Sequence, residues 1–360
     1  MKPPQHSLLW DIFCTVIDNH GDLGVCWRLA NQLCSAGQRV RLWVDDASAL
    51  TWMAPSQQAD IAVWPWTDAT TETISPMPVG DVWIEAFGCN IPEAFVARGV
   101  ATRTRPPLWI NLEYLSAEDW VPRLHGLPSP VMSGPARGWT KRFVYPGFTP
   151  DTGGLLREAD ILRRQQGFDR HVARQRLAPN LTTNAWLISL FCYETTALPK
   201  LLQALVNTPH QLLVMPGRPL AAVQTAILNM PAAPTWQALA YTDQTGFDER
   251  LWSCDLNFVR GEDSLVRALW AGQAFVWHIY PQDDCAHHAK LGALLDWLQA
   301  PPSLRQFHWV WNGIENTPLP ALNANTLADW TRCTQAARTR LLGQHDLLSH
   351  LLELASTQAR

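Results

Sequence analysis

The sequence predicts an α/β protein of two Rossmann-like domains facing a cleft, and three observations lead there. Short β-branched and aromatic runs alternate with amphipathic helical stretches along most of the chain. The alternation occurs twice, separated by a Pro- and Gly-rich stretch over 122–154. The length, 360 residues, exceeds the ~250–300 at which a single hydrophobic core stops growing.

The elements follow in order. Leu8 to Ile17, with Trp10, Ile12, Phe13 and Val16, reads as a buried strand. Asp18-Asn19-His20-Gly21-Asp22-Leu23-Gly24 reads as a loop, and Val25 to Ala36 as a helix ended by Gly37. Gln38 to Val44 is a second strand, and strand–helix–strand implies parallel pairing. Ile61–Trp64, Val82–Glu85 and Leu108–Leu112 are further strands, and 122–154 is mostly loop. Leu155 to Leu177 reads as one helix whose Arg157, Arg163, Arg164, Arg170, Arg174 and Arg176 form a solvated face or, as the lesser alternative, a docking surface for an acidic partner. The alternation then restarts. Strands at Ala185–Phe191, Gln211–Met215, Leu256–Val259 and Ala274–Ile279 are followed by helices at Thr195–Val206, Leu220–Asn229, Asp263–Ala271 and His287–Leu298. Leu322 to Arg360 is helical. The resulting division is residues 1–180 and 181–334, with a helix at about 335–360 packing back on the first domain.

Composition removes several classes of function. The net charge of −4 argues against a nucleic-acid binder, and no apolar run approaches the ~20 residues that span a bilayer. The polar N-terminus does not read as a secretory signal, so a cytoplasmic protein is expected. The 8 cysteines include no C-x-x-C pair, which disfavours zinc and disulfides, and most fall in apolar patterns. His287-His288 lacks the context of a metal site. The 19 tryptophans are spread over the chain and read as core or interface residues.

Ligands of doubly wound sheets bind at the carboxyl ends of the strands, so chemistry is sought in the loops there. The 18–24 loop lacks both a dinucleotide fingerprint and a phosphate-loop lysine, but sets Asp18 and Asp22 together over a helix start. Asp22 is either a helix cap, or with Asp18 it holds or deprotonates a substrate group. Val259-Arg260-Gly261-Glu262-Asp263-Ser264 joins a strand to a helix. Asp263 and Ser264 are candidate caps, yet the helix N–H groups and Arg260 also suit a diphosphate, beside which Glu262 is awkward unless it binds sugar hydroxyls or faces the acceptor. Phe191 and Tyr193 are either core and rim or a sandwich for a base, and Gln282 and Asp283 follow the last strand.

Asp18-Asn-His-Gly-Asp-Leu-Gly-Val-Cys-Trp-Arg-Leu-Ala30, Arg41-Leu-Trp-Val-Asp-Asp46, Tyr145-Pro-Gly-Phe148 with Gly153-Gly-Leu-Leu-Arg157, Phe258-Val-Arg-Gly-Glu-Asp-Ser264 and Trp277-His-Ile-Tyr-Pro-Gln282 together resemble the bacterial protein-arginine rhamnosyltransferases that modify translation elongation factor P, the EarP family. The resemblance runs from about residue 9 to the C-terminal helices. It implies the GT-B glycosyltransferase fold, dTDP-β-L-rhamnose as donor, one arginine of elongation factor P as acceptor, and inversion without a metal or other cofactor. It further implies Asp18 and Asp22 as acceptor-side carboxylates, Asp22 preferred as general base, and Glu262 as a third functional acid. Arg260, Asp263 and Ser264 then belong to the donor-binding loop. Phe191, Tyr193 and Phe258 lie near thymine or sugar, and Gln282 touches the donor. The rival readings are a non-catalytic protein that binds elongation factor P or a nucleotide, and a GT-B enzyme with another acceptor.

Overall fold

The computed structural model describes residues 7–16, 21–55, 61–70 and 77–358. The chain forms two compact units: unit 1 holds residues 1–158 and 344–360, and unit 2 holds 159–343.

Unit 1 is built on β1 (Leu9–Cys14), β2 (Arg39–Val44), β3 (Ile61–Pro65), β4 (Val82–Ala86), β5 (Leu108–Leu112), β6 (Pro128–Pro130) and β7 (Thr140–Val144), in the order β3-β2-β1-β4-β5-β7-β6. Every pairing is parallel except β6 with β7. β1 and β4 are buried on both faces, which explains their almost continuous apolar sequences. One face packs on the helix Gly21–Ser35 through Leu23, Cys26, Leu29, Ala30 and Leu33. The other carries stacked aromatics: Phe13 lies 5.6 Å from Trp43, and Phe95 meets Phe13, Trp43 and Trp83 edge-on. Gly99 is obligatory there, because a Cβ at that position would stand 2.3 Å from the Trp83 ring. The one charge in β1, Asp11, is fully buried and satisfied. It accepts from Arg41 Nε at 2.6 Å and Nη2 at 2.7 Å, from the Trp43 indole at 2.9 Å and from Gly80 N at 2.7 Å.

Unit 2 repeats the design with β8 (Trp186–Leu190), β9 (His210–Val214), β10 (Trp236–Ala238), β11 (Leu256–Arg260) and β12 (Ala274–His278), all parallel, in the order β10-β9-β8-β11-β12. Its core joins Leu198, Leu201, Leu202 and Leu205 to Phe258, Phe307, Trp311 and Trp330.

The structure corrects the division at 180. The stretch 155–177 forms two helices, Ile161–Gln166 and Arg170–Leu177, and most of its arginines are anchors instead of a solvated face. Arg164 pairs with Asp248 at 3.4 Å, and Arg170 and Arg174 grip Asp255 at 2.7 and 2.8 Å. These contacts tie the segment to unit 2 and move the boundary to 158/159. The C-terminal tail is likewise divided. The helix Ala324–Leu342 belongs to unit 2, and only Leu347–Gln358 returns to the unit 1 core, through Leu347, Leu351 and Ala355. All eight cysteines are free. Among the described residues no helix is long and apolar enough to cross a membrane.

Candidate active site

Both sheets contain a topological switch point. In unit 1 the order reverses between β1 and β4, and in unit 2 between β8 and β11. Connections leaving two such strands diverge to opposite faces, which opens a crevice at their carboxyl ends. The loops singled out from sequence leave from β1, β8, β11 and β12.

In unit 1, Asp18 and His20 lie outside the described residues. Asp22 is described, and it is not a cap. The helix begins at Gly21, absorbing the second half of the expected loop, and Asp22 falls in its first turn, where the macrodipole favours a carboxylate. Asp22 is 6% exposed. Its carboxylate acts on the Cys26 thiol. The Cys26 thiol is held well above its ordinary pKa by a hydrogen bond with Cys14, by burial, and by the neighbouring Cys14, Asp22 and Cys89. Cys89 Sγ donates to Phe13 O at 3.2 Å, and burial, with Glu85 adding to it, raises that thiol to about 12. These contacts set the helix start against the end of β1 and the loop after β4.

That loop contains the backbone outlier of the region. Phe87 has φ 58°, a left-handed conformation that a bulky residue adopts only when its surroundings impose it. Its ring stacks on Tyr114, centroids 5.0 Å apart, and Tyr114 is exposed. Beside Tyr114, burial raises the Glu113 carboxyl although Asn111 Nδ2 donates to it at 2.9 Å. Burial and Glu113 raise the Tyr145 phenol. Sequence reasoning missed Phe87, Glu113 and Tyr114. The available signal was their position directly after β4 and β5. Glu85, within β4, is a structural carboxylate that accepts from Lys141 Nζ at 2.6 Å and from Ile91 N at 3.1 Å.

In unit 2, the structure brings Arg260, Phe191 and Tyr193 together. The Arg260 guanidinium lies 4.4 Å from the Phe191 centroid and 4.8 Å from that of Tyr193, and its Nη1 donates to Cys192 O at 3.3 Å. The aromatic faces expected to sandwich a base thus hold the arginine. Tyr193 also meets His278 and Tyr280 edge-on, and burial, with Arg260 next, lowers the His278 pKa to about 3. Gly261 opens the helix Gly261–Ala271 at φ 65°, a value glycine tolerates, and the Trp277 indole donates to its carbonyl at 2.7 Å. Ser264 is buried. Its hydroxyl accepts from Arg260 N at 3.0 Å and donates to Arg260 O, so it shapes the loop. Glu262 and Asp263 lie half-buried in the first turn, and Lys290 Nζ donates to Glu262 Oε1 at 2.5 Å.

Two expected donor residues stand differently. Phe258 was expected near thymine or sugar, but it is completely buried in the core of unit 2, 4.6 Å from Trp311 and 5.9 Å from Phe307. Strand alternation turns it onto the face of the sheet that packs in the core. Gln282 is exposed after β12, and its backbone N–H donates to His287 Nδ1 at 3.1 Å. Among the described residues no three His, Cys, Asp or Glu side chains converge as a metal site requires.

The model of the elongation factor P rhamnosyltransferase EarP matches residues 10–356. The chain belongs to the EarP family. A protein-arginine rhamnosyltransferase of Pseudomonas putida is 46% identical over 315 residues, covering 79% of this chain and 80% of that protein. A solved structure concerned with EarP-mediated arginine glycosylation of translation elongation factor EF-P shares 30% identity, with a TM-score of 0.66 over 98% of this chain and 99% of that one. The glycosyltransferase VinC, solved with dTDP, is similar in fold alone: 12% identity, TM-score 0.53, covering 97% of this chain and 100% of that one. The fold is that of the GT-B glycosyltransferases, and this EarP-family chain is a glycosyltransferase.

Proposed function

We propose that the chain transfers L-rhamnose from dTDP-β-L-rhamnose to a guanidinium nitrogen of one arginine of elongation factor P, with inversion and without a metal. A single observation carries this reading: each unit of an EarP-family chain presents a chemically distinct loop at its own switch point. Acidic Asp22 stands after β1, and Arg260, on its two aromatic rings, ends β11. The acceptor is assigned to unit 1 and the donor to unit 2. Modification of a translation factor also puts the reaction in the cytoplasm.

A guanidinium is protonated near neutral pH, and its delocalised charge makes it a poor nucleophile. A carboxylate pair overcomes this. Asp18 holds the fork through two hydrogen bonds and draws the positive charge towards itself. Asp22 accepts a proton as the nitrogen lone pair attacks the anomeric carbon. The bond from that carbon to the diphosphate oxygen breaks with its electron pair. The growing charge is met by the N–H groups at the start of Gly261–Ala271 and by Arg260, which can take the part a metal plays elsewhere. Attack opposite the departing diphosphate inverts the anomeric carbon.

The test is the intact mass of elongation factor P after incubation with the chain and dTDP-β-L-rhamnose, with EDTA present throughout. The gain of one deoxyhexose, located on one arginine by fragmentation, is the expected result. An unmodified factor in both the presence and absence of EDTA would refute the reading. Modification only without EDTA would overturn its metal-free part.

A further inference from the structure

Glu262 poses a problem that the donor loop does not resolve by itself. It sits two residues after Arg260, in the first turn of an 11-residue helix whose amino end would receive the diphosphate. A carboxylate there repels the ligand. The neighbouring strand supplies a remedy. Lys290, on the helix Ala286–Leu298 that follows β12, reaches Glu262 at 2.5 Å, with side-chain exposures of 21% and 20%. A pair this far withdrawn from water is screened less than a surface pair. Arg260 is meanwhile held over Phe191 and Tyr193 and tied to Cys192 O.

We propose that Lys290 is a positioning residue. It holds the Glu262 carboxylate and cancels its charge, so that the amino end of Gly261–Ala271 accepts a nucleoside diphosphate. The inference rests on the donor assignment above. The pair also links the loops after β11 and β12. The loop after β12 carries Gln282 and ends at Cys285, whose φ of 60° turns the chain into the helix bearing Lys290. Lys290 therefore acts through Glu262 and need not touch the nucleotide.

Calorimetric titration with dTDP tests this on the wild type, Lys290→Met, Lys290→Arg, Glu262→Gln and the Glu262→Gln/Lys290→Met double variant. Lys290→Met is expected to weaken dTDP binding about tenfold, since it removes a cation that offsets the Glu262 charge beside the phosphates. Lys290→Arg should restore most of the loss. With Glu262→Gln already present, Lys290→Met should change affinity by less than about twofold, because no charge remains to cancel. Wild-type affinity in Lys290→Met overturns the inference and leaves the donor assignment standing. So does an equal loss in both backgrounds, which would mean direct contact or a general structural role. Failure of the wild type to bind dTDP overturns the donor assignment and this inference together.

Discussion

The two switch points share a topology and differ in almost everything that chemistry uses. After β1, unit 1 offers Asp22 close to the buried Cys26 thiol, and its loop after β4 holds a left-handed Phe87 stacked on exposed Tyr114. At the end of β11, unit 2 offers Arg260 on two aromatic rings, with its backbone fixed by Ser264. On the proposed reading, one scaffold carries a site for a cation in one unit and a site for an anion in the other. The sheet decides where ligands sit, and the few residues after a strand decide which ligand it is.

That contrast can be broken by substitution. Asp22→Asn should have the largest effect: kcat/KM for elongation factor P falls by about 10²–10⁴-fold, the usual worth of a general base, with dTDP affinity unchanged by calorimetry. A loss of dTDP binding would abolish the separation of roles. Arg260→Ala should do the reverse, weakening dTDP by about ten- to a hundredfold as a charge-assisted contact is lost. Unchanged affinity would mean that its stacking on Phe191 and Tyr193 is purely architectural. Tyr114→Ala sharpens the unit 1 side. An exposed tyrosine next to the Glu113 carboxyl suits a guanidinium, so KM for the acceptor should rise about two- to fivefold, with Tyr114→Phe near wild type. Equal KM values would exclude that ring from acceptor contact.

The smallest effect concerns what both units share. Each holds histidines neutral by burial. In unit 1, burial and then His350 lower His125 from 6.5 to about 4, and its Nδ1 accepts from Tyr145 N at 3.1 Å. In unit 2, burial lowers His308 to about 4, and its Nε2 accepts from Trp277 N at 3.0 Å. The unfolded chain binds these protons more readily, so stability is complete above about 6.5 and declines as pH falls towards about 4. Thermal unfolding should show a lower Tm at about pH 5 than at about pH 7.5. A Tm that does not fall would mean that these rings open to solvent without unfolding.

Much of the framework is legible in the sequence, because parallel strands buried on both faces leave apolar runs that stand out. Leu9–Cys14, Arg39–Val44, Leu256–Arg260 and Ala274–His278 all appear this way. β7 does not. Thr140–Val144 holds two cations and emerges from a Gly- and Pro-rich stretch, yet it pairs with β5 and carries β6 outside it. The site was legible where residue type and position coincide, as at Asp22 and Arg260. It was obscure where packing decides: strand phase sends Phe258 into the core, and a backbone outlier reveals Phe87. The arginines of 155–177 could not be resolved without their partners, since Asp248 and Asp255 lie far along the chain.

The chain leaves unit 1 after Glu158 and returns at Gln344, and the two crossings are fastened side by side. Leu347 N donates to Leu155 O at 3.1 Å, and Arg157 pairs with Asp346 at 3.3 Å. This arrangement governs the order of assembly during synthesis. All of unit 2 has been translated before the segment that completes unit 1 exists. On the ribosome, the first unit to begin is therefore the last to close: the face of Gly21–Ser35 that meets the C-terminal helix waits uncovered until Leu347, Leu351 and Ala355 emerge. A message cut short near its 3′ end would yield a chain with unit 2 intact and an open apolar seam on unit 1, which marks it for chaperones and proteases.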